Sequence, residues 1–254
     1  MNNKDFFPDF FIIGAQKSGT TTLHKLLKLS GQVSLPRIKE THFFSNEKQN
    51  NKNISWYKNQ FNIKPLHKII GEVDPSYLFI KSTSENIIRN SNKSLKFIII
   101  LRKPIDRSFS HYQMSYNRGY ETLSFNDALK IEEERLNKNN EFDTINFSYI
   151  SRSNYCSQIK EYTSLFKSSK FLYLNFDDLV DVDKKNNLIE ELFDFLDIEK
   201  CDNKINIHEN KFSEPRYKFI QSLLYTNKIF KRISSFFITN NETKYWLKQK
   251  INYF

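Results

Sequence analysis

Glycine is scarce in this chain: of 254 residues only Gly14, Gly19, Gly31, Gly71 and Gly119 are glycine. That scarcity excludes collagen-like and glycine-rich repeat architectures. Cysteine is scarcer, with Cys156 and Cys201 alone, so a disulfide scaffold is excluded and both read as reduced structural thiols. No apolar run approaches the ~18 residues that a membrane span needs. The longest runs are 10–15 and 97–101. Lys4 precedes the first of them, but Asp5, Pro8 and Asp9 interrupt it and it is too short for a secretory leader, so a cytoplasmic protein is expected. His24, His67, His111 and His208 show no metal-ligand spacing, and no metal is expected.

Aromatic residues are plentiful, at 15% with 24 Phe and 13 Tyr, which is enough to build a core and argues against disorder. Trp56 and Trp246 read as packing residues. Lys and Arg outnumber Asp and Glu by 39 to 29, a net charge of +10. The basic residues are dispersed and form no arm or tail, so the excess reads as compositional and no nucleic-acid partner is expected. The length suits one large α/β domain.

Strand and helix patterns alternate along the chain. Strands are expected at 10–15, 68–73, 96–101 and 171–176, the third wholly apolar as a strand covered on both faces should be. Helices are expected at 20–29, 84–90, from Pro104 to about Asn117, and at 124–136, 155–166, 187–196 and 219–233. Residues 48–53 read as a surface loop. Alternation of this kind implies parallel βαβ units and a three-layer α/β fold, a central and mainly parallel sheet flanked by helices. Ligands then bind beyond the carboxyl ends of the strands, in the loops after Ile13, Val73, Leu101 and Phe176.

The first strand runs into Gly14-Ala15-Gln16-Lys17-Ser18-Gly19-Thr20-Thr21-Thr22. Two glycines five positions apart let the backbone turn back, and the helix that follows offers its positive end to phosphate. The nucleotide-hydrolase loop has Lys after its second glycine; here Thr20 stands there and the lysine is Lys17, inside the loop. A lysine so placed can reach the bridging oxygen of an anhydride. The strand at 96–101 leads to Arg102, and Ser110 follows about two helical turns into the next helix. An arginine fork and a hydroxyl suit a phosphate monoester, so two anion sites at neighbouring strand ends fit one ligand with two separated phosphates. Arg107 reads as an ion-paired helix residue.

These motifs resemble the 5′-phosphosulfate loop and the 3′-phosphate motif of sulfotransferases that use 3′-phosphoadenylyl sulfate (PAPS). The resemblance covers roughly 10–215 and is strongest to the carbohydrate branch, which includes the heparan sulfate sulfotransferases and bacterial relatives. Lys39-Glu40-Thr41-His42-Phe43-Phe44 resembles that branch's E-x-H-F-F segment, and Gly71-Glu72-Val73-Asp74-Pro75-Ser76-Tyr77 its G-E-x-x-P-x-Y segment. The resemblance implies a single domain over 1–254, with a helical extension from about 216.

It also implies roles for individual residues. Glu40 is the base that takes a proton from an acceptor hydroxyl or amine, His42 lies in the active site, and Lys17 neutralises the leaving oxygen. Ser18, Gly19, Thr20, Thr21 and Thr22 hold the 5′-phosphate; Arg102 and Ser110 hold the 3′-phosphate, and Arg216 closes over the nucleotide. The acceptor would be a saccharide or glycolipid and the second product adenosine 3′,5′-bisphosphate. Val73 and Ser45 stand where enzymes acting on heparan sulfate carry a lysine and an acidic residue, which counts against a heparan-like acceptor. Two rivals remain on the residues alone: an ATP-dependent kinase or hydrolase of the P-loop class, and a non-enzymatic module binding anionic glycans or nucleic acid.

Overall fold

The computed structural model describes residues 6–46, 49 and 51–200. In chain order the elements are β1 (Phe10–Gly14), α1 (Thr20–Leu29), β2 (Val33–Ser34), α2 (Ile54–Lys58), β3 (Ile69–Val73), α3 (Ser82–Asn90), β4 (Lys96–Leu101) and α4 (Pro104–Asn117). Then come α5 (Phe125–Lys130), α6 (Glu132–Leu136), α7 (Glu141–Asn146), a 3-10 turn (Ser151–Ser153), α8 (Tyr155–Leu165), β5 (Lys170–Asn175), α9 (Phe176–Val180) and α10 (Lys185–Leu196). The described residues fall into two compact units. The first holds all five strands; the second begins at Ser108, inside α4, and runs to Ser153.

In the first unit the strands lie in the order β2-β3-β1-β4-β5, every pair parallel. β1 is central, and the chain crosses from its β3 side to its β4 side, which makes the end of β1 a topological switch point. Alternation along the strands assigns each residue to one face. Phe10 and Ile12 of β1 join Ile98 and Ile100 of β4 against α1 and α10. Phe11 and Ile13 join Phe97 and Ile99 on the other face, against Tyr162 of α8, Phe166 just past its end, and the aromatic set Phe43, Phe44 and Tyr57. Helices thus cover both faces of one parallel sheet, as the alternating pattern implied. Trp56 is a packing residue, stacked on Phe43.

Sequence chemistry accounts for the element ends. Asn53, Asn140 and Asn175 cap α2, α7 and α9, each side chain accepting from a main-chain N–H two or three residues on. The Asn175 cap starts α9 at Phe176, so β5 stops one residue short of the expected strand. In the second unit the helix expected over 124–136 is two helices, interrupted at Ile131. The break brings Glu132 inward, where its carboxylate accepts from the N–H groups of Ile150 and Ser151 at 2.6 and 2.8 Å. Satisfying those two amides outweighs one continuous helix.

Gly71 lies within β3, inside the strand expected at 68–73, and it is needed there because a Cβ would meet the Phe10 ring at 2.1 Å. One further expectation is corrected. Cys156 is a free thiol on an exposed face of α8, not a packed structural residue. Arg107 is fully buried on α4. The expected helix at 219–233, the extension from 216, Cys201 and Arg216 lie outside the described residues. Among the described residues no helix is long and apolar enough to cross a membrane.

Candidate active site

The loop between β1 and α1 is drawn tight. Gly19 immediately precedes α1 with φ 94°, a left-handed conformation glycine tolerates, and a Cβ there would meet Leu179 at 2.7 Å and Phe176 at 3.1 Å. Lys17 is also left-handed, at φ 69°. The loop folds back on itself through Ser18 N–H to the Ala15 carbonyl at 3.2 Å, and Ala15 N–H donates to Ile100 on β4 at 2.8 Å. Ser18 is fully buried, Thr20 is 4% exposed, and Thr21 and Thr22 are half-buried at the start of α1.

Arg102, just past β4, binds this loop from the side. Its Nη1 donates to the Lys17 carbonyl at 3.1 Å and its guanidinium stacks on Phe176, 4.5 Å from the ring centroid. Its own carbonyl accepts from the Tyr155 hydroxyl at 2.9 Å. One arginine therefore supports the strained peptide at Lys17 and the ring packed beneath Gly19. Ser110 is half-buried on α4 and belongs to the second unit, whereas Arg102 belongs to the first.

The segment 39–44 approaches the same loop. Lys39 Nζ lies 2.5 Å from Glu40 Oε1 and 3.2 Å from Thr21 Oγ1, so one ammonium joins the first turn of α1 to the Glu40 carboxylate. Lys39 also faces His24. Burial, then the charges of Lys39, Lys28 and Lys25, hold the His24 imidazole down at about 4. The ground between α1 and this segment is accordingly cationic without any help from His24.

The segment owes its shape to two carboxylates at the end of β3. Glu72 is fully buried; it accepts from the N–H and the hydroxyl of Thr41, from Tyr57 at 2.5 Å and from Tyr77 at 3.0 Å. Asp74, also fully buried, accepts from the main-chain N–H and the ring of His42. Glu40 and His42 flank Thr41 with φ of 63° and 52°, both left-handed. Phe43 and Phe44 are core residues, 2% and 0% exposed. Of five non-glycine residues with positive φ among the described residues, three are Lys17, Glu40 and His42. Backbone strain of this kind collects at functional sites, where the surroundings must hold it in place.

Burial, then the charge of Asp74, push the Glu72 carboxyl up to about 7, against the pull of its three hydroxyl donors. The folded state therefore binds this proton more tightly than the unfolded chain does. The stability it contributes is full below the ordinary carboxyl range near 4.5 and is lost as pH rises through about 7. The difference in unfolding free energy between the wild type and Glu72→Gln should move toward the variant by about 3 kcal/mol from pH 4.5 to 8. Denaturant titrations at the two pH values read it, and a constant difference would show that Glu72 is ionised throughout.

Sequence reasoning assigned no individual role to Lys39, Glu72, Asp74 or Tyr155, although the first three lie in the segments it singled out. A signal existed for two of them: acidic residues two apart share one face of a strand, and β3 is otherwise apolar. Among the described residues no cluster of His, Cys, Asp or Glu has the makings of a metal site.

A strand, a strained glycine loop and a helix N-terminus at the switch point of a parallel sheet define an α/β protein of the phosphate-binding-loop class, here with a carboxylate joined to the loop through Lys39. The comparisons narrow the class. The chain belongs to the sulfotransferase domain family, whose pattern it matches over residues 7–254. It is 27% identical over 176 residues to human heparan sulfate glucosamine 3-O-sulfotransferase 5, covering 68% of this chain and 49% of that protein. It is 34% identical over 111 residues to the membrane-associated sulfotransferase kil1 of Dictyostelium discoideum, covering 42% of this chain and 23% of that protein. The crystal structure of a sulfotransferase from Alicyclobacillus acidocaldarius matches with TM-score 0.66 and 28% identity, over 76% of this chain and 82% of that one. The chain spans about half the length of the first of these relatives, or less.

Proposed function

We propose that this chain transfers the sulfuryl group of PAPS to a hydroxyl or amine of a carbohydrate-containing acceptor, by in-line displacement. The observation that carries the reading is the Lys39 bridge, which sets the Glu40 carboxylate beside the first turn of α1, where a phosphate-binding loop presents its ligand. Glu40 takes the proton from the acceptor group, whose heteroatom forms a bond to sulfur while the bond from sulfur to the phosphate oxygen breaks. The electron pair stays on that oxygen, and Lys17 neutralises its charge. Ser18, Gly19, Thr20, Thr21 and Thr22 hold the 5′-phosphate, and Arg102 holds the 3′-phosphate. His42 stands on the acceptor side.

The residues suit this donor. The loop offers amides, hydroxyls and a lysine to one phosphate, and Arg102 offers a fork to the other. A kinase or hydrolase reading is disfavoured because Thr20 occupies the lysine position of that loop. Sulfuryl oxygens carry less charge than phosphoryl oxygens, so the transfer makes no demand for a metal. The match over residues 7–254 supports reading 1–254 as one sulfotransferase domain.

Labelled PAPS incubated with the protein and an extract of its own host should deliver label to a saccharide or glycolipid. Calorimetry should show adenosine 3′,5′-bisphosphate binding. Incorporation into no acceptor, with ATP turnover instead, would overturn the reading.

A further inference from the structure

Asp74 is a fully buried carboxylate for which the mechanism above has no use. Its Oδ2 accepts twice from one residue: from the main-chain N–H of His42 at 3.0 Å and from its ring Nδ1 at 2.8 Å. Its Oδ1 accepts from Ser76 N–H at 3.0 Å, and its own N–H donates to Ile12 of β1 at 3.1 Å. The carboxylate is thus tied to the strand that leads into the donor loop. Two bonds from one residue to one oxygen fix the peptide and the ring together, and so hold His42 at φ 52°. A buried carboxylate is costly unless a cation lies against it, and here the cation is the imidazolium. With Nδ1 committed to Asp74 and the side chain 43% exposed, Nε2–H is the donor left for the site.

We propose that Asp74 is a positioning residue that holds His42 in one orientation and as a cation, so that His42 serves the transfer as a fixed hydrogen-bond donor and not as the proton acceptor. The proposal rests on reading His42 as a residue of the active site. Charged groups around the ring reinforce it: Glu72 of β3, Asp74 just past it and Glu40 from the same segment as His42 are all acidic. Burial alone would lower the basicity of His42, but the bond and charge of Asp74, then Glu40 and Glu72, raise it to about 9. At neutral pH the ring therefore has no lone pair to offer the acceptor, and the proton falls to Glu40.

The test is a pH titration of the histidine ring signals by NMR, with His42 assigned through His42→Gln, in the wild type and in Asp74→Asn. Bisphosphate binding by calorimetry checks that the variant keeps its fold. His42 should titrate near pH 9 in the wild type, and in Asp74→Asn near the ordinary value of about 6.5. Incorporation of label from PAPS into the host extract should then fall above about pH 6.5 in the variant but hold to about pH 9 in the wild type. Three results would each overturn the proposal: wild-type His42 titrating in the ordinary range, an unchanged titration in Asp74→Asn, or a shifted titration with an unchanged incorporation profile. Absence of incorporation by the wild type at every pH, with His42 still titrating near 9, would instead sink the sulfuryl-transfer reading.

Discussion

Glu40→Gln is expected to cut sulfuryl transfer by about 10²–10⁴-fold while leaving donor binding intact, the range typical for loss of a positioned general base. The substitution is nearly isosteric. A glutamine Oε1 still accepts from Lys39 Nζ, so the bridge to Thr21 and the left-handed backbone at residue 40 are kept. What disappears is the basic lone pair, and with it the destination of the acceptor's proton. The check is rate of label transfer beside calorimetric affinity for adenosine 3′,5′-bisphosphate, which should stay within about threefold. Transfer at the wild-type rate would remove Glu40 from the chemistry and leave its strained backbone unexplained.

Lys17→Ala is expected to lower transfer by about 10²–10³-fold, comparable to removing one preorganised charge partner from a reacting oxygen. The loop should survive. Arg102 grips the carbonyl of residue 17 and not its side chain, and alanine at φ 69° is no more strained than lysine there. The bisphosphate product, which lacks the sulfuryl group, should bind the variant with modest loss. The loss should therefore appear in kcat; a raised KM with unchanged kcat would mean that Lys17 binds donor and transition state equally.

The two halves of this site differed in how far their residues announced them. β1, the glycine loop and α1 follow from local rules: a continuous apolar run, two glycines where the backbone must turn, and leucines at helical spacing. β4 and Arg102 are legible for the same reason. Glu40 and His42 sit on irregular chain, where periodicity is silent; only the likeness of 39–44 to a known segment singled them out. Glu72 and Asp74, which bind Thr41 and His42, lie some thirty positions away, and nothing in single-sequence pattern pairs residues so distant. The break at Ile131 was hidden because the amides that Glu132 satisfies come from another part of the chain. Left-handed backbone at Lys17 and Glu40 was equally hidden, since neither is a residue type that favours it.

Those two conformations, at Lys17 and Glu40, have a consequence for anyone breeding a hardier form of the protein. Glycine would relieve about 1–2 kcal/mol at each, whereas at residue 42 it would strip the buried Asp74 of its cation. Selection for heat tolerance alone would accordingly drift toward codons 17 and 40 and collect its gains there, and the survivors would be robust proteins with the reacting groups bred out.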